Sequence, residues 1–506
     1  MNDAANPVAA PPAIDLLVVG GGINGVGIAR DAVGRGLSVT LVEAGDLAGA
    51  TSSSSSKLIH GGLRYLEQFE FRLVAEALAE REILLGIAPH LVWPARFIMP
   101  HVPSLRPRWM IRTGLFLYDH LGRRHGRSAQ LPGSSSVRLD GPPFNAGLDA
   151  RYRHGFIYSD CRTDDARLVL ANARDAAARG ARILVRTALD AARRVGDEWH
   201  VVLGNGERLV ARAIANVAGP WVKQVLNDRL GVESADAVRL VRGSHIVLPR
   251  LYEGDHAFIL QNDDRRVVFM IPYEGHFTLV GTTDVAAADV DTRPAPSEAE
   301  IAYLCAAVGR YLARKPTPDD VLWRYAGVRP LYDDGSGDPS AVTRDYTLRI
   351  DAPRGAVDSA PVLSVFGGKL TTYRHLAQVA VDQLLHVMGR EGAPWTASGP
   401  LPGGDLPPGG LPALRAQLTA AYPWLDAAVL AGLVRRHGSE VGAVLGDARS
   451  PADLGEDFGG GLFAREVQRM REREWANTAE DILWRRSKCG LHMSAAQRQR
   501  LIEVVG

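Results

Sequence analysis

Three glycines near the start of the chain have the spacing of a motif that binds the pyrophosphate of a dinucleotide. Gly20, Gly22 and Gly25 form G-x-G-x-x-G directly after the apolar run of residues 14–19. The first glycine of such a motif permits a tight turn, the second lets the backbone approach a phosphate, and the third lets a helix pack closely on its strand. The phosphates then meet a helix N-terminus, where unpaired N–H groups and the helix dipole favour negative charge. The motif alone fits either NAD or FAD.

The sequence around the glycines supplies the elements that must position them. Residues 14–19 predict a strand buried on both faces, residues 23–35 a helix, and residues 38–42 a second apolar strand. The second strand ends at Glu43, whose carboxylate can accept hydrogen bonds from both hydroxyls of an adenosine ribose. An acidic residue at this position argues against a 2′-phosphate. Strand, turn, helix, strand and acid in register predict a nucleotide-binding α/β domain.

A second segment with unusual chemistry follows. Residues 51–56 are a run of hydroxyl side chains that by itself is typical of a linker. Residues 57–66 are not typical of a linker, because they combine a lysine, His60, Arg64 and Tyr65 with two adjacent glycines. This mixture indicates a functional segment.

The composition is that of an ordinary globular protein with room for two or three domains. The 506 residues exceed the roughly 250–300 at which a single core stops growing, and 46% of them are hydrophobic. The 58 Lys and Arg residues nearly balance 57 Asp and Glu residues, so we expect no binding to nucleic acid. Three widely spaced cysteines predict neither a disulfide framework nor a metal site. No apolar run is long enough to span a membrane, and residues 1–13 do not resemble a signal peptide.

Residues 105–124 are the most unusual surface candidate. On a helix that begins at Pro107, the side chains of Arg108, Arg112 and Arg123 share one side. The other side is broad and apolar, and with its flanking aromatic residues it comprises Met110, Ile111, Leu115, Leu117, Tyr118, Leu121, Trp109 and Phe116. Such a helix can lie in a membrane interface with its arginines at the headgroups. It can equally be an amphipathic helix that packs on its own core.

The remaining periodicity predicts the α/β fold class and a division into three structural parts. A doubly wound Rossmann-type domain would comprise residues 1–70, 145–222 and 355–390, with turns at 217–220 and 367–369 beside the ligand crevice. A mostly antiparallel β domain, the cap or substrate domain, would comprise residues 71–144 and 223–354. A Pro- and Gly-rich linker, 391–410, would precede an all-helical C-terminal domain, 411–506, with Trp424, Trp475 and Trp484 as core anchors.

Nine segments resemble the FAD-dependent glycerol-3-phosphate dehydrogenases of the aerobic, membrane-associated type. In chain order they are GGGINGVGIARDA, ATSSSSSKLIHGGLRYLE, AGPWV, RGSHIVLPR, VGTTD, YAGVRPL, TRDYTL, VFGGKLTTYR and DLGEDFG. Ala218 stands where threonine is more usual in the family. The resemblance covers nearly the whole chain and implies that the Rossmann-type domain binds FAD. It also implies oxidation of sn-glycerol 3-phosphate to dihydroxyacetone phosphate by hydride transfer from C2, and reoxidation of the flavin by membrane quinone.

The resemblance assigns the cofactor to four segments of the chain. The first glycine motif and Glu43 would hold the adenosine half and the pyrophosphate, and residues 51–60 with two glycine turns would line the pyrophosphate and flavin. The implied FAD-binding residues are Gly20, Gly22, Ile23, Asn24, Gly25, Glu43, Thr51, Ser52, Lys57, Leu58, His60, Ala218, Gly219, Gly367, Gly368, Leu370 and Thr371.

Arginine suits the substrate phosphate, because its guanidinium group can make paired, charge-assisted hydrogen bonds to a dianion. By similarity, Arg64 and Arg344, with Tyr65, would hold this phosphate.

Removal of a hydride from C2 requires the neighbouring hydroxyl to lose its proton, so a base is expected within hydrogen-bond reach. His245, on the apolar strand of residues 243–248, is the first candidate. Arg329 or Lys369 could stabilise the developing alkoxide and the charge of the reduced flavin. The choice of base among these three residues stays open.

A lipid-soluble acceptor requires the enzyme to bind the bilayer surface without crossing it, and residues 105–124 would form the binding helix. We therefore expect peripheral binding at the cytoplasmic face of the inner membrane, and we also expect a homodimer.

Three rival hypotheses remain: a soluble glycerol-3-phosphate oxidase that uses oxygen, an amine or amino-acid oxidase of the same flavin fold, and a non-catalytic flavoprotein that senses redox state.

Overall fold

The computed structural model describes residues 13–121, 131–234, 236–264, 266–290, 294–333, 345–352 and 359–506. Its strands are β1 Ala13–Val19, β2 Val39–Val42, β3 Leu58–Ile59, β4 Val92–Pro100, β5 Ser135–Arg138, β6 His154–Thr163, β7 Arg182–Leu184, β8 Leu189–Val195, β9 Glu198–Leu203, β10 Arg208–Asn216, β11 Ala237–Pro249, β12 Ala257–Gln261, β13 Val267–Tyr273, β14 Phe277–Gly281, β15 Val285–Ala286, β16 Trp323–Asp333, β17 Thr347–Asp351 and β18 Val362–Phe366. Its helices are α1 Ile23–Gly34, α2 Phe71–Ile87, α3 Arg108–Leu121, α4 Asp165–Ala178, α5 Val222–Gln224, α6 Glu298–Gly309, α7 Tyr373–Val387, α8 Gly410–Ala421, α9 Ala427–His437, α10 Val441–Leu445, α11 Ala464–Arg473 and α12 Ala495–Val505.

The first sheet carries the glycine motif. Its strand order is β17-β18-β10-β1-β2-β7, and the five strands from β18 to β7 run parallel. Leu16 and Val18 of β1 pack with α1, α4 and α7 on one face, while Leu17 and Val19 pack against β8, β9 and residues 222–232 on the other. Burial on both faces is what the continuous apolar run predicts for a parallel strand. The predicted α/β class is confirmed.

The second sheet is mostly antiparallel, as predicted. Its strand order is β15-β11-β14-β13-β12-β4-β6-β3, with β16 paired to β11 and β5 to β6. Helix α6 packs on one face of this sheet, and α2 with α3 packs on the other. The sheet therefore has a helical layer on each side, and the edge near β11 and β16 meets the first sheet.

The strand pairing corrects the predicted division at two places. Strand β6 was predicted within the nucleotide domain, but it pairs with β4 in the second sheet, where Tyr158 stacks on Phe97 with ring centroids 5.4 Å apart. Strand β17 was predicted within the cap, but it forms the antiparallel edge of the first sheet beside β18. Periodicity identifies a strand, but pairing depends on distant residues, so these errors could not be avoided from local pattern.

The C-terminal region is helical from α8 to α12, as predicted, around two apolar clusters. Its three tryptophans are half-buried rather than central. Trp475 packs against the core of the first sheet, and Trp484 stacks on Trp323 of the second sheet with centroids 4.8 Å apart. These two residues therefore join the C-terminal helices to the rest of the protein.

Helix α3 divides the apolar side predicted for residues 105–124 into two surfaces. Its buried surface packs on the second sheet through Ile111, Leu115, Tyr118 and Leu121. Its exposed surface, which we call the α3 stripe, consists of Trp109, Met110, Phe116 and Leu117; Trp109 is 70% exposed and Phe116 is 54% exposed. Arg112 donates a hydrogen bond to Ser134, and Arg123 lies outside the described residues. Among the described helices, none combines the length and the hydropathy that a bilayer crossing requires.

Candidate active site

A cavity of about 1320 Å³ opens where four parallel strands of the first sheet end, and it extends to the second sheet. Gly20 follows β1, Glu43 follows β2, Ala218 follows β10 by one residue, and Gly367 follows β18. The carboxyl ends of parallel strands are where α/β folds bind ligands. The predicted site residues that line this cavity are Gly20, Gly22, Ile23, Asn24, Glu43, Thr51, Ser52, Leu58, His60, Arg64, Tyr65, Ala218, Gly219, His245, Arg329, Gly367, Gly368, Lys369, Leu370 and Thr371. Arg344, predicted to bind the substrate phosphate, lies outside the described residues.

The glycine motif is a tightly packed turn that only glycine permits. Gly20 has a φ of +116°, and a Cβ there would lie 2.5 Å from the carbonyl oxygen of Val217. A Cβ on Gly25 would lie 1.9 Å from the carbonyl oxygen of Gly20, so Gly25 sets the contact between α1 and the turn without lining the cavity. At the start of α1, the N–H of Ile23 donates to Ser52 Oγ at 2.9 Å. The turn and the N-terminus of α1 thus lie together in the cavity wall, at the position where this fold binds a pyrophosphate.

Glu43 closes the other side of the turn. Its carboxylate accepts hydrogen bonds from the N–H groups of Gly21 at 2.6 Å and Gly45 at 2.7 Å. Burial raises the pKa of Glu43, and these two hydrogen bonds oppose the rise. The carboxylate thus lies fixed beside the cavity at the position where this fold binds a ribose.

Lys57 does not line the cavity, contrary to the prediction. Its side chain is 4% exposed, and Nζ donates to Asp165 Oδ1 at 2.8 Å and to the carbonyl oxygen of Ser53 at 2.9 Å. Asp165 also accepts a hydrogen bond from Ser55 Oγ at 2.7 Å. Lys57 therefore supports the hydroxyl-rich loop, residues 51–56, on the side away from the cavity. The loop residues that line the cavity are Thr51, Ser52, Ser54, Ser55 and Ser56.

His245 lines the cavity from β11, which lies between β14 and β16. Its Nε2 is 2.9 Å from Ser56 Oγ, and its ring stacks on Tyr325 with centroids 4.9 Å apart. Burial, together with the positive charges of Lys57 and Arg329, lowers the pKa of His245 well below its usual value. The imidazole is therefore neutral at neutral pH, which is the form that accepts a proton.

Three cationic side chains line the same cavity as His245. Arg329 donates to Asp284 at 2.7 Å and to the carbonyl oxygen of Thr283 at 3.1 Å. The ammonium group of Lys369 lies 3.8 Å from the ring centroid of Tyr65, and within the described ranges it has no hydrogen-bond partner. Among the described residues, none accepts a hydrogen bond from Arg64 or forms an ion pair with it. Burial and the charge of Lys369 lower the pKa of His60 to about 4, so His60 adds no charge at neutral pH.

Sequence reasoning missed several residues that complete the site. Ser56 and Gly281 lie in segments that carry the family resemblance, but their roles depend on the distant His245. Ser56 hydrogen-bonds to the imidazole, and Gly281 packs against it. The residues contributed by the C-terminal helices, including Asp481 and Arg485, carried no signal, because isolated charges in a helical region are most often solvated.

Residues 15–399 match the family model described as FAD dependent oxidoreductase. The chain belongs to this family. This FAD dependent oxidoreductase is 53% identical over 491 residues to a glycerol-3-phosphate dehydrogenase of Pseudomonas aeruginosa, which covers 96% of this chain and 94% of that one. It is 48% identical to a D-erythritol 1-phosphate dehydrogenase of Brucella abortus, over 98% of each chain. A solved structure of the glycerol-3-phosphate dehydrogenase from Bacillus halodurans with FAD superposes with a TM-score of 0.72 and 26% identity, and covers 97% of this chain and 93% of that one.

FAD is the cofactor of this oxidoreductase. The cavity fits it, because the backbone has no room for a Cβ at Gly20 or Gly25 and because Ile23, at the N-terminus of α1, lines the cavity. Gly20, Gly22, Ser52 and Glu43 would hold the adenosine half and the diphosphate, and the residues around Gly367 and Thr371 would meet the flavin. When bound, FAD supplies a hydride acceptor.

Proposed function

We propose that this oxidoreductase oxidises sn-glycerol 3-phosphate to dihydroxyacetone phosphate by hydride transfer from C2 to FAD. The observation that carries the proposal is the meeting of Arg64, Arg329 and Lys369 with a neutral His245 in the cavity that also holds the glycine motif. A phosphate dianion requires cations, and an alcohol that loses hydride requires a base. The relative that is 53% identical is named for this activity.

Each residue has one task in the proposed mechanism. Arg64 and Tyr65, with Arg344, bind the phosphate, so that the alcohol is held beside His245. His245 accepts the proton of the C2 hydroxyl, and its hydrogen bond with Ser56 and its stack on Tyr325 fix the ring for that transfer. Arg329 or Lys369 stabilises the negative charge that develops on the oxygen.

A second candidate substrate is D-erythritol 1-phosphate, because a relative that is 48% identical over 98% of this chain is named for its oxidation. Both compounds combine a phosphate dianion with secondary alcohols, so the same cations and base serve either. The length of the polyol that the cavity admits distinguishes them.

Anaerobic titration of the purified yellow protein tests both candidates. Glycerol 3-phosphate should bleach the flavin band, with a kcat/KM at least about tenfold above that for D-erythritol 1-phosphate. The reverse ratio selects the second candidate. Bleaching by glycine instead supports an amino-acid oxidase, and no bleaching by any alcohol phosphate contradicts the proposed function.

We further propose that membrane quinone accepts the electrons and that the protein binds the cytoplasmic face of the inner membrane. The α3 stripe supports peripheral binding, since it presents exposed aromatic side chains beside arginine on a helix packed on the second sheet. Oxygen uptake that is independent of quinone and stoichiometric with substrate would favour the oxidase instead. The homodimer stays a prediction that sedimentation equilibrium can test.

Replacing Trp109 and Phe116 together with Ser is expected to lower binding to anionic lipid vesicles at least about tenfold, because two exposed aromatic side chains lose the apolar area they would bury. Co-sedimentation with vesicles measures the effect, and turnover with a water-soluble acceptor should not change. The matched control is Leu322→Ser, which removes an exposed apolar side chain that does not belong to α3. Equal binding of the double variant and wild type would rule out the α3 stripe as the membrane surface.

The substitution Gly281→Ala tests whether the position of His245 sets the rate. A Cβ at Gly281 would lie 2.0 Å from His245 Cδ2, so the imidazole must move. We expect kcat to fall about 10²-fold, since a displacement of about 1 Å costs this much in a positioned group, while FAD content stays near that of wild type. Gly442→Ala is the control, because nothing lies within 4 Å of a Cβ there. An unchanged kcat would show that the imidazole position is not critical.

A further inference from the structure

The C-terminal helices form part of the wall of the FAD cavity. Thr478, Glu480, Asp481 and Arg485 line the same cavity as Glu43 and the glycine motif. These residues belong to the segment 477–488, which begins after α11 and lies beyond the residues that match the oxidoreductase family model.

The segment 477–488 meets the cavity where β2 ends. The N–H of Thr187 donates to the carbonyl oxygen of Glu43, and the N–H of Arg186 donates to that of Gly45, both at 2.8 Å. The side chain of Arg186, which also lines the cavity, donates to Asp481 at 2.9 Å. Since Glu43 marks the ribose position in this fold, the segment faces the adenosine end of the cofactor.

Arg485 is held in this wall by hydrogen bonds to two carboxylates, and the exposed Glu480 pairs with it at 3.6 Å. Its Nε donates to Asp46 Oδ2, and its Nη2 donates to Asp481 Oδ1. Asp46 comes from the loop after β2, whereas Asp481 comes from the C-terminal segment itself. The guanidinium group is thus fixed at the cavity surface, and a planar cation fixed in this way can stack on a flat ring or donate to a ribose or phosphate oxygen.

Buried ion pairs anchor the segment 477–488 behind Arg485. Arg486 is fully buried and donates to Asp46 Oδ1 at 2.8 Å and to the carbonyl oxygen of Glu474. Lys488 pairs with Asp164 at 3.2 Å, directly before α4. These contacts join the segment both to the loop after β2 and to the start of a helix of the first domain, so its position follows that of the cofactor site.

We propose that the segment 477–488 closes the adenosine end of the FAD site, with Arg485 as the residue that contacts the cofactor. The helical domain then retains FAD, a role separate from substrate oxidation. The inference rests on FAD as the cofactor and not on the identity of the substrate, so it can fail or succeed independently of the proposed function.

The variant Arg485→Met isolates the proposed contact from the anchor. Asp46 keeps its pair with Arg486 and Asp481 keeps its pair with Arg186, so no buried carboxylate loses its only cation. We expect the dissociation constant for FAD, measured by flavin fluorescence on the apoprotein, to rise about 10- to 100-fold. The thermal midpoint of the apoprotein should stay close to that of wild type.

Arg500→Met is the matched control, because it removes an arginine of the same domain that pairs with Glu456 on the surface and does not line the cavity. Its affinity for FAD should equal that of wild type. An Arg485→Met protein with wild-type affinity and wild-type FAD dissociation rate would overturn the proposal.

Hydrogen exchange on the wild-type protein tests the proposal without any substitution, so misfolding of a variant cannot affect the result. Addition of FAD to the apoprotein should slow amide exchange in residues 477–488, while α12, in the same domain, should not change. Equal exchange rates in residues 477–488 with and without FAD would contradict the proposed closure.

Discussion

Replacing His245 with Ala is expected to lower kcat for glycerol 3-phosphate about 10²- to 10⁴-fold, which is the range for loss of a positioned general base. FAD should remain bound, because His245 is not among the residues that would hold the adenosine half and the diphosphate. The rate of anaerobic flavin reduction measures the effect without dependence on the electron acceptor. His200→Ala is the control, since His200 is an exposed residue of β9 that does not line the cavity.

The pH dependence of kcat should differ between wild type and His245→Ala. Burial and the charges of Lys57 and Arg329 lower the pKa of His245, so the imidazole takes up a proton only at pH values well below its usual pKa. Wild-type kcat should therefore not fall from protonation of His245 between pH 8 and about pH 6.5. In His245→Ala the rate should instead rise with pH, because hydroxide replaces the lost base. A variant with near wild-type turnover and an unchanged profile would place the base elsewhere, with Lys369 as the next candidate.

Replacing Arg64 with Met is expected to lower kcat/KM for glycerol 3-phosphate about 10²- to 10³-fold, because the phosphate loses a charge-assisted hydrogen bond inside the cavity. The structure makes Arg64 a suitable anion ligand, since it lines the cavity and, in the described ranges, no carboxylate neutralises it. Oxidation of unphosphorylated glycerol should change by less than about threefold, because this substrate carries no phosphate for Arg64 to bind. The ratio of the two kcat/KM values therefore reports phosphate binding specifically.

Arg314→Met is the matched control, because Arg314 is a mostly exposed arginine that does not line the cavity. It should leave both substrates unaffected. An equal loss for glycerol and glycerol 3-phosphate in Arg64→Met would mean that Arg64 supports the structure of the site and does not bind the phosphate.

The adenosine end of the site could be predicted from sequence because its parts are close together along the chain. The strand, the glycine turn, α1, β2 and Glu43 lie within residues 13–43, and each glycine has a local steric reason. The same locality explains the accurate bounds of α1, which was predicted at residues 23–35 and spans Ile23–Gly34. Short-range geometry restricts these elements so strongly that the pattern alone identifies them.

Residues that depend on burial were less predictable. Lys57 stands in a recognised cofactor segment, yet its ammonium group turns away from the cavity because Asp165, 108 residues further along the chain, pairs with it. Helix α3 was recognised as amphipathic, but which of its apolar residues pack inward depends on the position of the second sheet. Pairing with distant residues decides both cases, and a periodic pattern contains no information about it.

The sequence by itself determined the fold class and the dinucleotide motif, because backbone sterics and strand periodicity act over a few residues, whereas the family resemblance supplied the other predicted cofactor residues. Only the tertiary structure decided which residues meet in the cavity and how they are charged. It placed His245 beside Ser56, 189 residues away, and lowered its pKa through burial and neighbouring cations. It also brought Arg485 to Asp46 across 439 residues, which made the C-terminal helices part of the cofactor site. Electrostatics and packing act through space, so these features follow from the folded chain and not from any segment of it.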